Sequence, residues 1–259
     1  MRTSRARTSA VAHFGSVRTL LRTRQFFRCA KPCSTGARTA ASALFRQLLA
    51  PGQGLVVEID ASGKIYVAWQ DCRFRTSCSS NDIVYSTSTN GTTWSAVTRV
   101  PIGATSSTVD HFIPGFGVDH ATSGSTAKLG LYYYYFYPNS SCTASTCQLE
   151  VGLTSSTDDG ATWSAAQTVA GPMSLSQIAS TTQGSMVGDY MSTSVVNGKS
   201  VAIFAVGQTP TNGQAFDEGM YIVGGGLAVL AGTVATQADP VVYTAHTANG
   251  NASFYRNAN

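Results

Sequence analysis

The sequence predicts an all-β fold assembled from a repeated four-stranded unit, and three observations predict it. Short runs alternate apolar and polar residues with the period of a strand. Gly, Asn, Asp and Ser clusters interrupt those runs at similar intervals. A tryptophan-anchored segment also recurs at a fixed distance, the signature of a repeat architecture.

The first pair of strands is LVVEID and KIYVAWQD, joined through Ala61-Ser62-Gly63-Lys64. The next is DIVYSTS and TWSAVTRV, where Asn90-Gly91 supplies the positive φ of a tight turn. HFIPGFGVD, LGLYYYYFY, CQLEVGLTSS and TWSAAQTVA follow. In the YYYYFY run, alternation sends Tyr133, Tyr135 and Tyr137 to one sheet face and Tyr132, Tyr134 and Phe136 to the other. YMSTSVV and KSVAIFAVG form a further hairpin about Asn197-Gly198, and GMYIVGG with LAVLAGTV a last one. No stretch carries the continuous 3.6-residue stripe of a long helix.

Composition narrows the function. Residues 1–50 hold nine Arg, one Lys and no acid, whereas residues 51–259 hold seven bases and all thirteen acids, a net charge of −6. The main segment is therefore mildly acidic, and the overall charge of +4 is no argument for nucleic acid. No apolar run approaches the roughly 18 residues of a membrane helix. The Arg- and Ser/Thr-rich leader is a transit-like segment, a disordered basic arm or sequence foreign to the domain. Arginine interrupts every window in which a secretory signal would need an apolar core. The expected organisation is a basic leader over residues 1–50 and a β domain over 54–259.

The repeat pairs Ser156-Thr157-Asp158-Asp159-Gly160-Ala161-Thr162-Trp163 with Thr87-Ser88-Thr89-Asn90-Gly91-Thr92-Thr93-Trp94, 69 residues earlier. The later copy resembles the Asp-box, S-x-D-x-G-x-T-W, of sialidase-like β-propellers (BNR repeats). In such a turn Asp158 accepts hydrogen bonds from backbone N–H groups, Gly160 takes a conformation closed to other residues, and Trp163 packs beneath. The earlier copy lacks the Ser and Asp but keeps Gly91 and Trp94. The runs VAWQDCRFRTSCSSNDIVYS, VDHFIPGFGVD and MVGDYMSTS also resemble bacterial secreted exo-α-sialidases, so the likeness covers about residues 54–240. It implies a sialidase-like β-propeller. At about 45 residues per blade there is room for about four blades, fewer than a sialidase has, so the propeller is expected to be partial. The implied partner is an extracellular glycan or sialoglycoconjugate, and no cofactor or metal is expected.

Cys72 with Cys78, and Cys142 with Cys147, read as two local loop-closing disulfides, which place the protein in an oxidising, extracytoplasmic setting. A four-thiol zinc site is the alternative, but its ligand pairs normally stand closer together.

A retaining sialidase needs arginines for the substrate carboxylate, an acid/base carboxyl and a tyrosine nucleophile. Tyr190 and Asp189, at a strand start, are the candidate nucleophile and carboxyl, and Asp110 with His111 a candidate acid/base pair. Arg73 and Arg75 alternate about Phe74 and would bind the substrate with Asp71, or else pair with Asp71 and Asp82. Two functions stay open: a sialidase-like hydrolase, whose activity this chain alone need not retain, and a non-catalytic propeller that binds carbohydrate or protein. Three converging guanidinium groups would favour the first; two or fewer would favour the second.

Overall fold

The computed structural model of the protein describes residues 55–136, 143, 145–182, 184–211, 213 and 215–232. The basic leader, Tyr137 and Cys142 lie outside the described residues.

The architecture is all-β, and among the described residues helical structure is limited to three-residue turns. Strands β1 (Leu55–Ile59), β2 (Ile65–Asp71), β3 (Asp82–Ser88) and β4 (Thr98–Arg99) form one antiparallel meander. A second meander comprises β5 (Asp110–Val118), β6 (Leu129–Phe136), β7 (Gln148–Ser156) and β8 (Gln167–Ser174). A two-stranded ribbon, β9 (Ser180–Thr181) and β10 (Gly184–Ser185), precedes the third sheet. That sheet holds β11 (Ser192–Val196), β12 (Lys199–Gln208), β13 (Asp217–Ile222) and β14 (Leu227–Ala228).

The described residues make three four-stranded sheets and the two-stranded ribbon, with connections such as 72–81 and 100–109 between strands. One expectation is corrected: the last two strands do not pair with each other. β13 and β14 both pair with β12, through Ile203↔Ile222 and Ser200↔Leu227, so they form one interrupted edge. The interruption is the run Gly224-Gly225-Gly226, whose last two members have φ of 77° and 67°.

The middle sheet is buried on both faces, as the tyrosine alternation requires. Leu129, Leu131, Tyr133 and Tyr135 join Tyr66, Ala68, Ile83 and Tyr85 in the core against the first sheet. Tyr132 and Tyr134 face Ala202, Phe204 and Tyr221 of the third. Their hydroxyls also bond to the backbone of β12. The Tyr132 hydroxyl donates to the Ser200 carbonyl at 3.1 Å. The Tyr134 hydroxyl donates to the Ala205 carbonyl at 2.9 Å and accepts from its N–H at 2.8 Å. Each buried hydroxyl thus has a partner, without which its burial would be unfavourable.

The turn at 156–163 holds itself closed by local bonds. The Asp158 carboxylate accepts from the Thr162 N–H at 2.9 Å and the Thr162 hydroxyl at 2.6 Å, while the Ser156 hydroxyl accepts from the Gly160 N–H at 2.9 Å. Gly160 has φ +81°, and the Trp163 indole donates to its carbonyl at 3.1 Å. The next acid, Asp159, reaches the first sheet, accepting from the Tyr66 hydroxyl and the Lys64 ammonium, each at 2.6 Å. One turn therefore closes its own hairpin and ties two sheets together.

Candidate functional site

The first strands of the three sheets lie in sequence, β1 packing on β5 and β5 on β11. Glycines govern the second contact. A Cβ on Gly115 would stand 2.5 Å from Thr193 Oγ1 and 2.9 Å from Met191 Cγ, and one on Gly117 would stand 3.0 Å from Thr193 Cγ2. Bare backbone at 115 and 117 is what lets β11 approach β5. Just before, β5 shifts register between Phe112 and Gly115, and Ile113 has φ +48°, a strained conformation for a β-branched residue. The Gln70 side chain accepts the Ile113 N–H at 2.9 Å and so ties this irregularity to β2.

Between β1 and β11 lies an open groove of about 460 Å³, within the roughly 300–1,000 Å³ range of small-molecule sites. It is lined by residues 55–58, Phe116 and residues 190–193, with Ile203 and Met220 from the third sheet. Tyr190 is 64% exposed at this groove, while Met191 behind it is buried.

Glu58 is the carboxyl in the lining, and motif reading overlooks it. It stands opposite Tyr66 on β2, two residues from Val56, which packs on the core between the first two sheets. Burial pushes its carboxyl up to about 7. His120 Nε2 lies 3.7 Å from Glu58 Oε2, but the imidazole is largely exposed and its influence is screened by solvent. The signal was present in LVVEID: an acid sits where alternation calls for an inward apolar residue.

The arginines are engaged elsewhere. Arg75 is buried and makes a two-pronged pair with Asp82, Nε to Oδ2 at 2.8 Å and Nη2 to Oδ1 at 2.6 Å. Its Nη1 donates to the carbonyls of Ala104 at 2.9 Å and Ser107 at 2.5 Å. Arg99 Nη1 reaches the same Asp82 at 3.3 Å and the Gly103 carbonyl at 2.9 Å. Arg73 turns to Asp71, with Nη2 2.6 Å from Oδ2, over the ring of Trp69. Burial raises the Asp71 carboxyl, but hydrogen bonds from Arg73 and the Trp69 indole outweigh it and hold it below the usual carboxylate range.

Asp110 and His111 hold the loop that carries Arg73 and Arg75. The Asn81 N–H donates to Asp110 Oδ1 at 2.5 Å, and the His111 N–H donates to the Asn81 carbonyl at 3.1 Å. Burial raises the Asp110 carboxyl, partly offset by the Asn81 bonds. The His111 ring is fully buried against Tyr133 and Tyr135. Nearby, the Tyr135 hydroxyl donates to the buried Glu150 carboxylate. Asp189 is exposed beside Tyr190. Of the candidate catalytic residues, Tyr190 alone lines the groove. Cys72 and Cys78 are disulfide-bonded, closing the loop around Arg73 and Arg75. Cys147 is also disulfide-bonded, and its expected partner Cys142 lies outside the described residues. Among the described residues no cluster of His, Cys, Asp and Glu could hold a metal ion. No helix among them is long and apolar enough to cross a membrane.

No protein-family profile and no curated protein matches the chain. Among solved structures it is similar to an ulvan lyase described as a new family of polysaccharide lyase. The identity is 13% and the TM-score 0.34, over 72% of this chain and 44% of that one. It is also similar to a structure described as a BT0996 RGII complex, at 11% identity and a TM-score of 0.34, over 72% of this chain and 61% of that one. The chain thus spans about half the length of these neighbours, and at such scores the likeness assigns neither family nor activity.

Proposed function

We propose that the three sheets are consecutive blades of a partial sialidase-like β-propeller, and that the chain binds a glycan outside the cytoplasm through the groove between β1 and β11. The reading of residues 54–259 as one such domain belongs to this proposal. The observation that carries it is the side-by-side packing of the first strands β1, β5 and β11, with a groove that bears exposed Tyr190 opening between them. Exposed Tyr190 offers a ring on which a sugar can stack, and Ser192 and Glu58 offer polar contacts. The disulfides support an oxidising compartment.

Binding is favoured over sialoside hydrolysis because Arg73, Arg75 and Arg99 are each engaged by Asp71 or Asp82 rather than converging on the groove. The hydrolase reading keeps one observation in its favour. Glu58 carries a carboxyl that is half protonated near neutrality, the property of a general acid, in the groove lined by Tyr190. A fluorogenic sialoside and a panel of immobilised glycans separate the two. Glycan capture without release of the fluorophore is expected; turnover abolished by Tyr190→Phe would establish the hydrolase instead.

A further inference from the structure

The lining of the groove says which sugars it accepts. Among the described residues it contains one carboxyl, two hydroxyl-bearing residues of β11, the Tyr190 phenol and otherwise apolar side chains, with no lysine or arginine. An acidic sugar entering there would bring its carboxylate beside Glu58, which repels it once ionised, with no lysine or arginine in the described lining to offset that repulsion or the loss of water. We infer that the groove is a subsite for an uncharged sugar, and that Glu58 is its specificity-determining residue, contacting the ligand and turning acidic sugars away. This rests on the glycan-binding reading above and narrows it.

The surroundings of Glu58 support a proton-linked site. On β2 its neighbour is Tyr66, whose hydroxyl is held by Asp159 and Asp60. Beyond the end of β5 are Asp119, whose carboxylate accepts the N–H groups of Ala121 and Gly198, and the exposed His120. Tyr190 approaches from the start of β11. Of these, His120 is the one basic side chain, and at 3.7 Å from Glu58 its imidazole stands largely in solvent. A ligand covering Glu58 removes water from a carboxyl that burial already disfavours in its charged form, so occupancy is coupled to proton uptake. The neutral acid then donates its O–H to a sugar oxygen and accepts a sugar hydroxyl at its carbonyl.

The test uses the full chain against neutral oligosaccharides and their sialylated counterparts, with affinities measured near pH 6 and near pH 8.5. The neutral sugars are expected to bind in preference, and their affinity to fall about 30-fold between the two values, the change in the protonated fraction of a group titrating near 7. Glu58→Gln, an uncharged near-isostere that cannot ionise, is expected to abolish the pH dependence of neutral-sugar binding. Glu58→Lys is expected to shift the preference towards sialylated sugars, with folding of both variants checked by circular dichroism. Neutral-sugar binding insensitive to pH, or sialylated sugars binding as well as neutral ones in the unmodified chain, overturns this inference and leaves glycan binding standing. Binding of no glycan at either pH overturns both.

Discussion

Replacing Arg75 by Met separates a ligand-holding arginine from one that holds the fold. Its guanidinium donates twice to Asp82 and to the carbonyls of Ala104 and Ser107, so one side chain ties the start of β3 to the connection leading into β5. Removing it leaves a buried carboxylate and two carbonyls short of a donor. Breaking a buried ion pair from one side costs roughly 3–5 kcal/mol. Arg99 remains 3.3 Å from Asp82 and retains part of the compensation, which places the expected loss at the lower end, about 3 kcal/mol. Arg73→Met is the internal control, because its pair with Asp71 is on the surface, where such pairs contribute roughly 0–1 kcal/mol. Urea unfolding at neutral pH measures both variants, and the midpoint for Arg75→Met should fall well below that for Arg73→Met, with the slope unchanged. Equal midpoints, or an Arg75→Met protein of full stability that has lost glycan affinity, would refute the structural assignment and return Arg75 to the ligand.

Two further outcomes follow from the groove and its packing. The Glu58 carboxyl titrates higher in the folded chain than the ordinary 4.5, so the folded state binds more protons between that value and about 7. Stability should accordingly fall as pH rises through this window, by about 2 kcal/mol once partial exposure is allowed for, and the slope should flatten in Glu58→Gln as measured by denaturant titration. Gly115→Val would drive a branched side chain into Thr193 and Met191, costing roughly 1–3 kcal/mol of stability and displacing the strand that carries Tyr190. A melting temperature equal to that of the unmodified chain would show that β11 does not depend on bare backbone at 115.

What could be read from the residues divides along the range of the interactions. The hairpins about Gly63 and Asn197-Gly198 are legible because a turn's conformation is written in two or three neighbouring residues, whereas at Asn90-Gly91 only Gly91 takes a positive φ and the expected strand TWSAVTRV shrinks to Thr98–Arg99. The split of the tyrosine run between two cores is legible because alternation along a strand is equally local. Burial of Arg75 is another matter. Asp82 is near enough in sequence to be named, but the carbonyls of Ala104 and Ser107 come from a connection whose path nothing local encodes. The joined edge of β13 and β14 was hidden for a similar reason, since a triple glycine reads as a hairpin turn and serves here as a bulge. Glu58 announced itself only by breaking a pattern, and a search for functional motifs passes over one acid in an apolar strand.

The two-sided aromatic burial of β6 has a consequence for how the molecule comes apart. Each neighbouring leaf grips this strand by its own set of rings, so opening either seam alone leaves the other intact and keeps the central ladder shut to solvent. Amide protons of residues 130–135 should therefore be the last to trade for deuterium, at the rate of complete unfolding, while the two-residue margins β4 and β14 trade theirs by fraying.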